Sequence, residues 1–221
     1  MRKKFDLQLL PRSPTIDFEQ ELWQKNFDAI AGLDEAGRGA LAGPLYAAAV
    51  ILPKDRSSEL LKVLGDVRDS KQLTPNKREA ASSVIKSTAV AWGIGICAAA
   101  EIDKIGMAKA GRLVFDRAIA RLETTPDYLL VDYFTLPAIK IPQTSLVKGD
   151  ARSLSIACAS ILAKTARDTA MRELAIVYPA YYFSANKGYG TKAHRQALLD
   201  HGTCPEHRKS FQLFKMQAEL F

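Results

Sequence analysis

The sequence has little cysteine. Only Cys97, Cys158 and Cys204 stand among 221 residues, widely spaced and without a CxxC pair. An odd, scattered set excludes a disulfide framework and points to a reducing, cytoplasmic setting. Long apolar runs are missing too. The longest clean one, residues 45–52, stops at Pro53. That is far short of the roughly 18 residues of a membrane span, so no membrane association is expected. The start, Met1-Arg2-Lys3-Lys4, resembles the basic end of a signal peptide, but Asp6, Gln8 and Pro11 break the apolar stretch that should follow. There is no internal repeat and no low-complexity linker. The P-loop pattern GxxxxGK(S/T) is absent and the glycines between 32 and 43 do not form GxGxxG, which argues against a nucleotide-binding loop.

What is present suits a folded chain of one domain with some appended structure. Apolar residues make up 48% and charged residues 25%, and the length allows a well-buried core without staples. The net charge of +7 favours a polyanionic partner. Its distribution says more. Residues 148–195 hold eight Lys and Arg against three acids, whereas residues 1–80 hold thirteen against twelve. The basic surface therefore belongs to the second half.

Residues 1–28 read as an N-terminal leader without a defined structure. Residues 29–33 form a short apolar run, and residues 45–52 a second; Gly and Pro bound both, as strands require. Residues 58–64 read as a helix. Residues 75–87 follow Thr74, a suitable N-cap, with Pro75 at the first helical position. Residues 89–99 read as a third strand, 109–122 as a helix, 127–132 as a fourth strand and 139–147 as a fifth. Residues 154–178 form a long helix rich in Ala and Ser, and 192–200 a short one. The order predicts an α/β fold: a mixed five-stranded sheet with helices on both faces and further helices at the C-terminal end.

Acids mark the ends of two of these strands, Asp34-Glu35 and Asp132, and Asp150 stands just before the long helix. A desolvated carboxylate needs a partner. A divalent cation is one, since Mg²⁺ takes oxygen ligands from a few carboxylates and a substrate phosphate. Two such ions stabilise the attacking and leaving oxygens of a phosphodiester cleavage. The plainer alternatives are solvated turn residues, and for Asp150 the N-cap of the helix that follows. Asp34 and Glu35 are neighbours, which point to opposite faces of a regular strand. Both reach one site only if the strand ends there.

Several motifs lie in one order. They are Gly32-Leu-Asp-Glu-Ala-Gly-Arg-Gly-Ala-Leu-Ala-Gly-Pro44, Asp69-Ser70-Lys71-Gln72-Leu73, Val131-Asp132, and Lys148-Gly149-Asp150. Then come Ser155-Ile156-Ala157-Cys158-Ala159-Ser160-Ile161-Leu162-Ala163-Lys164 with Arg167-Asp168, Lys187-Gly188-Tyr189-Gly190-Thr191, and His207-Arg208 with Ser210-Phe211. Together they resemble the ribonuclease HII family of type 2 ribonucleases H, in its bacterial form. The resemblance implies a ribonuclease H-like fold and an endoribonuclease with two divalent ions, Mg²⁺ or Mn²⁺. It would cut the RNA strand of RNA–DNA hybrids, and 5′ of ribonucleotides embedded in duplex DNA, leaving 5′-phosphate and 3′-hydroxyl ends. Asp34, Glu35, Asp132 and Asp150 fall on the family's catalytic, metal-binding acids. Gly37, Arg38 and Gly39 with Tyr189 would read the junction from ribose to deoxyribose, since glycine lets backbone approach a 2′-hydroxyl. Arg38, Ser70, Lys71 and Lys148 are candidate substrate contacts. Residues 29–180 would form the catalytic domain and 181–221 a helical substrate-binding extension, in a monomer. Tyr133, Cys158 and Asn186 depart from the family's usual residues.

Other readings compete. A nucleic-acid-binding protein without catalysis explains the charge but not the acids, which repel phosphate. His201, Cys204 and His207 are spaced like zinc ligands but lack a fourth and enclose Pro205. All three histidines lie in residues 194–207; a metal-free ribonuclease built on a His pair would use them, survive chelation and leave a cyclic phosphate.

Overall fold

The computed structural model describes residues 10–65, 67 and 73–211. Helix α1 (Asp17–Gln24) leads into strands β1 (Ile30–Ala36) and β2 (Leu45–Ile51), then helices α2 (Ser57–Val63) and α3 (Pro75–Thr88). Strand β3 (Ala91–Cys97), helices α4 (Ala99–Ile105) and α5 (Met107–Ile119), and strands β4 (Tyr128–Asp132) and β5 (Gln143–Leu146) follow. Helices α6 (Leu154–Val177), α7 (Phe183–Asn186) and α8 (Lys192–His201) are the last elements among the described residues. The five strands form one mixed sheet, ordered β3-β2-β1-β4-β5. β1 pairs antiparallel with β2 and parallel with β4.

The sheet is covered on both faces, as the pattern of strands and helices predicts. β2 is Leu-Tyr-Ala-Ala-Ala-Val-Ile and every residue is buried, so neither face can meet water. One face packs with α1, α3 and α6, the other with α4 and α5. α6 lies unusually close to β1. A Cβ on Gly32 would stand 2.2 Å from the main-chain carbon of Ser155, so only glycine admits the helix there. That contact fixes α6 against the strand bearing Asp34 and Glu35.

Five sequence expectations shift. β1 does not stop at residue 33 but continues through both acids to Ala36, because β2 keeps pairing with it to Ala36↔Tyr46. β3 ends at Cys97, where the Glu101 carboxylate accepts the Ala98 N–H at 3.0 Å and opens α4. The fifth strand is only Gln143–Leu146. Its expected first half is a loop, tied down by the Gln143 amide on both the N–H and the carbonyl of Leu136. The 1–28 segment contains α1, whose Leu22 and Trp23 enter the core. Ser153 caps α6, accepting from the Ile156 N–H, so Asp150 is not its N-cap.

Candidate active site

β1 and β4 run in parallel register up to Leu33↔Val131. Asp34 and Asp132 are the next residues of each strand. Side-chain alternation turns both toward the face covered by α6, since Leu33 and Val131 lie in the core of the opposite face. Asp150 joins them from the 3₁₀ turn Gly149–Ala151 before α6. Tyr133 and Lys148 adopt left-handed backbone, at φ 61° and 57°, on either side of this corner. The Asp132 carboxylate accepts the Gly149 N–H at 2.7 Å, which ties β4 to the turn carrying Asp150. Glu35 points to the other face of the strand, but beyond the last β1–β4 pair it reaches the same opening.

The result is a cleft of about 530 Å³ lined by Asp34, Glu35, Asp132 and Asp150, with residues 36–39, Ser160, Lys164 and Tyr189. All four acids named from the sequence therefore share one cavity. Asp34 is buried, and burial together with the neighbouring Glu35, Asp132 and Asp150 carboxylates pushes its pKa well above the usual carboxylate range, against a hydrogen bond with Ser160. Such a cluster calls for positive charge.

Two cleft residues carried no assigned role in the sequence reading. Ser160 and Lys164 project from α6 one turn apart, and Asp168 follows a further turn on. Asp168 is buried between the Lys164 ammonium at 2.6 Å and the Arg78 guanidinium at 2.8 Å. The i, i+4, i+8 spacing within the motif helix was the available signal.

The glycine segment is clamped from behind. Gly37, at φ +96°, has no room for a side chain, since a Cβ would lie 2.0 Å from Nε of Arg167. Gly39 differs, because a Cβ there would meet nothing within 4 Å. Four carbonyls of one stretch are held by two fully buried arginines. Arg167 donates to Pro44 and Ala42, and Arg208 to Gly43 and Arg38. The Gly188 carbonyl accepts the Leu41 and Ala42 N–H groups. Asn186 is structural: its amide holds the Tyr181 carbonyl and the Gly188 N–H, both at 2.7 Å. The Arg38 guanidinium lies 4.4 Å from the centre of the Phe134 ring. Lys148 is exposed and is not part of the cleft wall. Ser70 and Lys71, with the rest of 69–72, lie outside the described residues.

The histidine alternatives do not assemble. Nε2 of His194 and of His207 are 3.1 Å apart, yet both residues are buried away from any substrate. His201 faces Tyr181 instead. Among the described residues no three His, Cys, Asp or Glu side chains gather to hold one metal ion by themselves, and no helix is long and apolar enough to cross a membrane.

Comparison with known proteins gives the family and the fold. A family model described as Ribonuclease HII matches residues 31–214. The Ribonuclease HII of Parabacteroides distasonis is 53% identical over 192 residues, 86% of this chain and 93% of that protein. The ribonuclease H2 of Pyrococcus horikoshii has a TM-score of 0.70 at 25% identity, covering 83% of this chain and 94% of its own. Bst-RNase HIII, solved in complex with Mn²⁺, shares the fold at a TM-score of 0.65 and 18% identity, covering 84% of this chain and 68% of its own. The fold and these relatives define a ribonuclease H, an enzyme class that acts on nucleic acid and uses divalent metal ions. Within that class, the chain belongs to the ribonuclease HII family.

Proposed function

We propose that this endonuclease cuts the RNA strand of RNA–DNA hybrids and cuts 5′ of ribonucleotides embedded in duplex DNA, using two divalent ions. The observation that carries the reading is the single cleft in which four carboxylates face the Gly37–Arg38–Gly39 segment and Tyr189. An all-oxygen donor set suits Mg²⁺ or Mn²⁺. Asp34, Glu35, Asp132 and Asp150 would hold the ions between them, with substrate oxygens completing the shells. Bound ions supply electrostatic stabilisation of the attacking and leaving oxygens. Burial and the neighbouring carboxylates, which together raise the Asp34 pKa, penalise its charge, and a bound cation would offset that penalty.

The chain's own groups do the selecting. The open space over Gly39 lets backbone come close to a ribose and its 2′-hydroxyl. Tyr189, 38% exposed, offers a ring face to the deoxyribose that follows. Lys164, Arg38 and the exposed Lys148 supply positive charge for phosphates. Tyr189 comes from residues 181–221, which supports their role as a substrate-binding extension of the 29–180 catalytic part. The test is a labelled DNA duplex with one ribonucleotide, incubated with Mg²⁺ or with chelator. Cleavage 5′ of the ribonucleotide, with 5′-phosphate and 3′-hydroxyl ends and only with metal, is expected. Full cleavage in excess chelator would overturn the reading.

A further inference from the structure

Arg167 has no part in the proposed chemistry, yet its surroundings are unusual. It is among the largest fully buried side chains of the protein. Its neighbour Asp168 directs its carboxylate to Arg78 and Lys164, and the Arg167 guanidinium donates to main-chain carbonyls, of Pro44 at 3.1 Å and Ala42 at 3.2 Å. Among the described residues its Nη1 is buried with no acceptor. Burying a cation on such terms is unfavourable, and a methionine-like filler would pack α6 with less penalty. Met171, one turn along the helix, is such a filler, lying beneath Gly43.

While its edge donates to carbonyls, as no apolar side chain could, the guanidinium also meets two parts of the cleft. Its Nε–Cζ plane fills the space vacated by the Cβ of Gly37, and its carbon lies 5.3 Å from the centre of the Tyr189 ring. A flat, delocalised cation stacks on an aromatic face while its edge donates to carbonyls. One side chain thus touches both parts proposed to read the ribose–deoxyribose junction, the glycine segment and Tyr189. These parts come from residues about 150 apart in sequence, and α6 holds them in mutual register.

We infer that Arg167 is a positioning residue for substrate selection, coupling Tyr189 to the Gly37–Gly39 segment and setting the preference for embedded ribonucleotides over uniform hybrids. The inference rests on the junction-reading role proposed for Tyr189. The experiment is a double-mutant cycle, with kcat/KM measured on both substrates for the parent, Arg167→Met, Tyr189→Ala and the double variant. Arg167→Met should lower cleavage of the embedded ribonucleotide about tenfold more than cleavage of the hybrid, chiefly in kcat, as misplacement of a reacting group predicts. In the Tyr189→Ala background it should add less than about twofold. Arg167→Lys, which keeps the charge but not the fork, should recover part of the preference, and it runs the same cycle if Arg167→Met folds poorly. Equal losses on the two substrates, or losses that multiply in the double variant, would assign Arg167 to structure alone. Should Tyr189→Ala itself leave the substrate preference unchanged, the junction reading fails first, and the role of Arg167 falls with it.

Discussion

His194 and His207 face each other through their Nε2 atoms at 3.1 Å, in a pocket that leaves 0% and 1% of their surfaces exposed. Two imidazoliums could not occupy it. Burial, and for His207 the neighbouring His194, depress both pKa values, that of His207 to about 4. Between pH 6.5 and about 4 the unfolded chain therefore takes up a proton that the folded chain refuses, so stability falls as pH drops through that window and levels off below it. Urea midpoints for the parent and His207→Asn, from pH 7.5 to 4.5, check this. The variant should be weaker at neutral pH but lose less on acidification. Parallel curves would remove the histidines as the cause.

Asp34 carries the opposite sign, since its folded pKa is raised. Asp34→Asn should abolish cleavage. It should also raise the melting temperature of the metal-free protein, because a neutral amide relieves the repulsion among the four acids. Millimolar Mg²⁺ should stabilise the parent more than the variant, as binding to the folded state requires. A variant that cleaves normally, or that melts lower without metal, contradicts the proposed role.

Ser153 and Asp150 can now be told apart. Ser153 caps α6 and also donates to the buried Glu19 carboxylate at 2.6 Å. Ser153→Ala should cost about 1–2 kcal/mol in stability, the range of a lost cap, while cleavage by the folded fraction persists. Asp150→Asn should do the reverse. Chemical denaturation paired with single-turnover cleavage separates the two; a destabilised Asp150→Asn would restore the capping role.

Tyr189→Ala should lower cleavage of a single embedded ribonucleotide by roughly a hundredfold, the scale of a 1 Å misplacement, and affect a uniform hybrid less. Tyr189→Phe should keep most activity, because the ring face remains. Equal activity of Tyr189→Ala and the parent on the embedded ribonucleotide would end the junction-reading role.

Binding of nuclease-dead Asp34→Asn to duplex should weaken steeply with salt. Six or more phosphate contacts would imply a loss of roughly a thousandfold between 50 and 200 mM. Fluorescence anisotropy over that range suffices, and a flat response would deny a role to the basic second half.

The acids were legible because they sit in ordered motifs at strand ends, and strand ends are readable from apolar runs. Glu35 was harder. It joins the cleft not because β1 ends but because β4 does, a fact about the neighbour's length. α1 went unread because eight residues with a poor cap become a helix only by burying Leu22 and Trp23. The glycines looked equivalent in sequence. Only in three dimensions does Gly37 face inward against Arg167 while Gly39 faces open space. Arg167 and Arg208 stood in recognised motifs, yet nothing local shows that both serve carbonyls more than a hundred residues upstream.

The two-arginine clamp also orders events in time. Chains emerge from the ribosome N-terminus first. The strands with Asp34 and Asp132, and the turn with Asp150, can come together once α6 is available. The segment from Arg38 to Pro44 still lacks half of its supports until Arg208 has been made. A growing chain can therefore gather its acids before the loop beside them is fully held, and the segment proposed to read the substrate is the last part of the cleft to be completed.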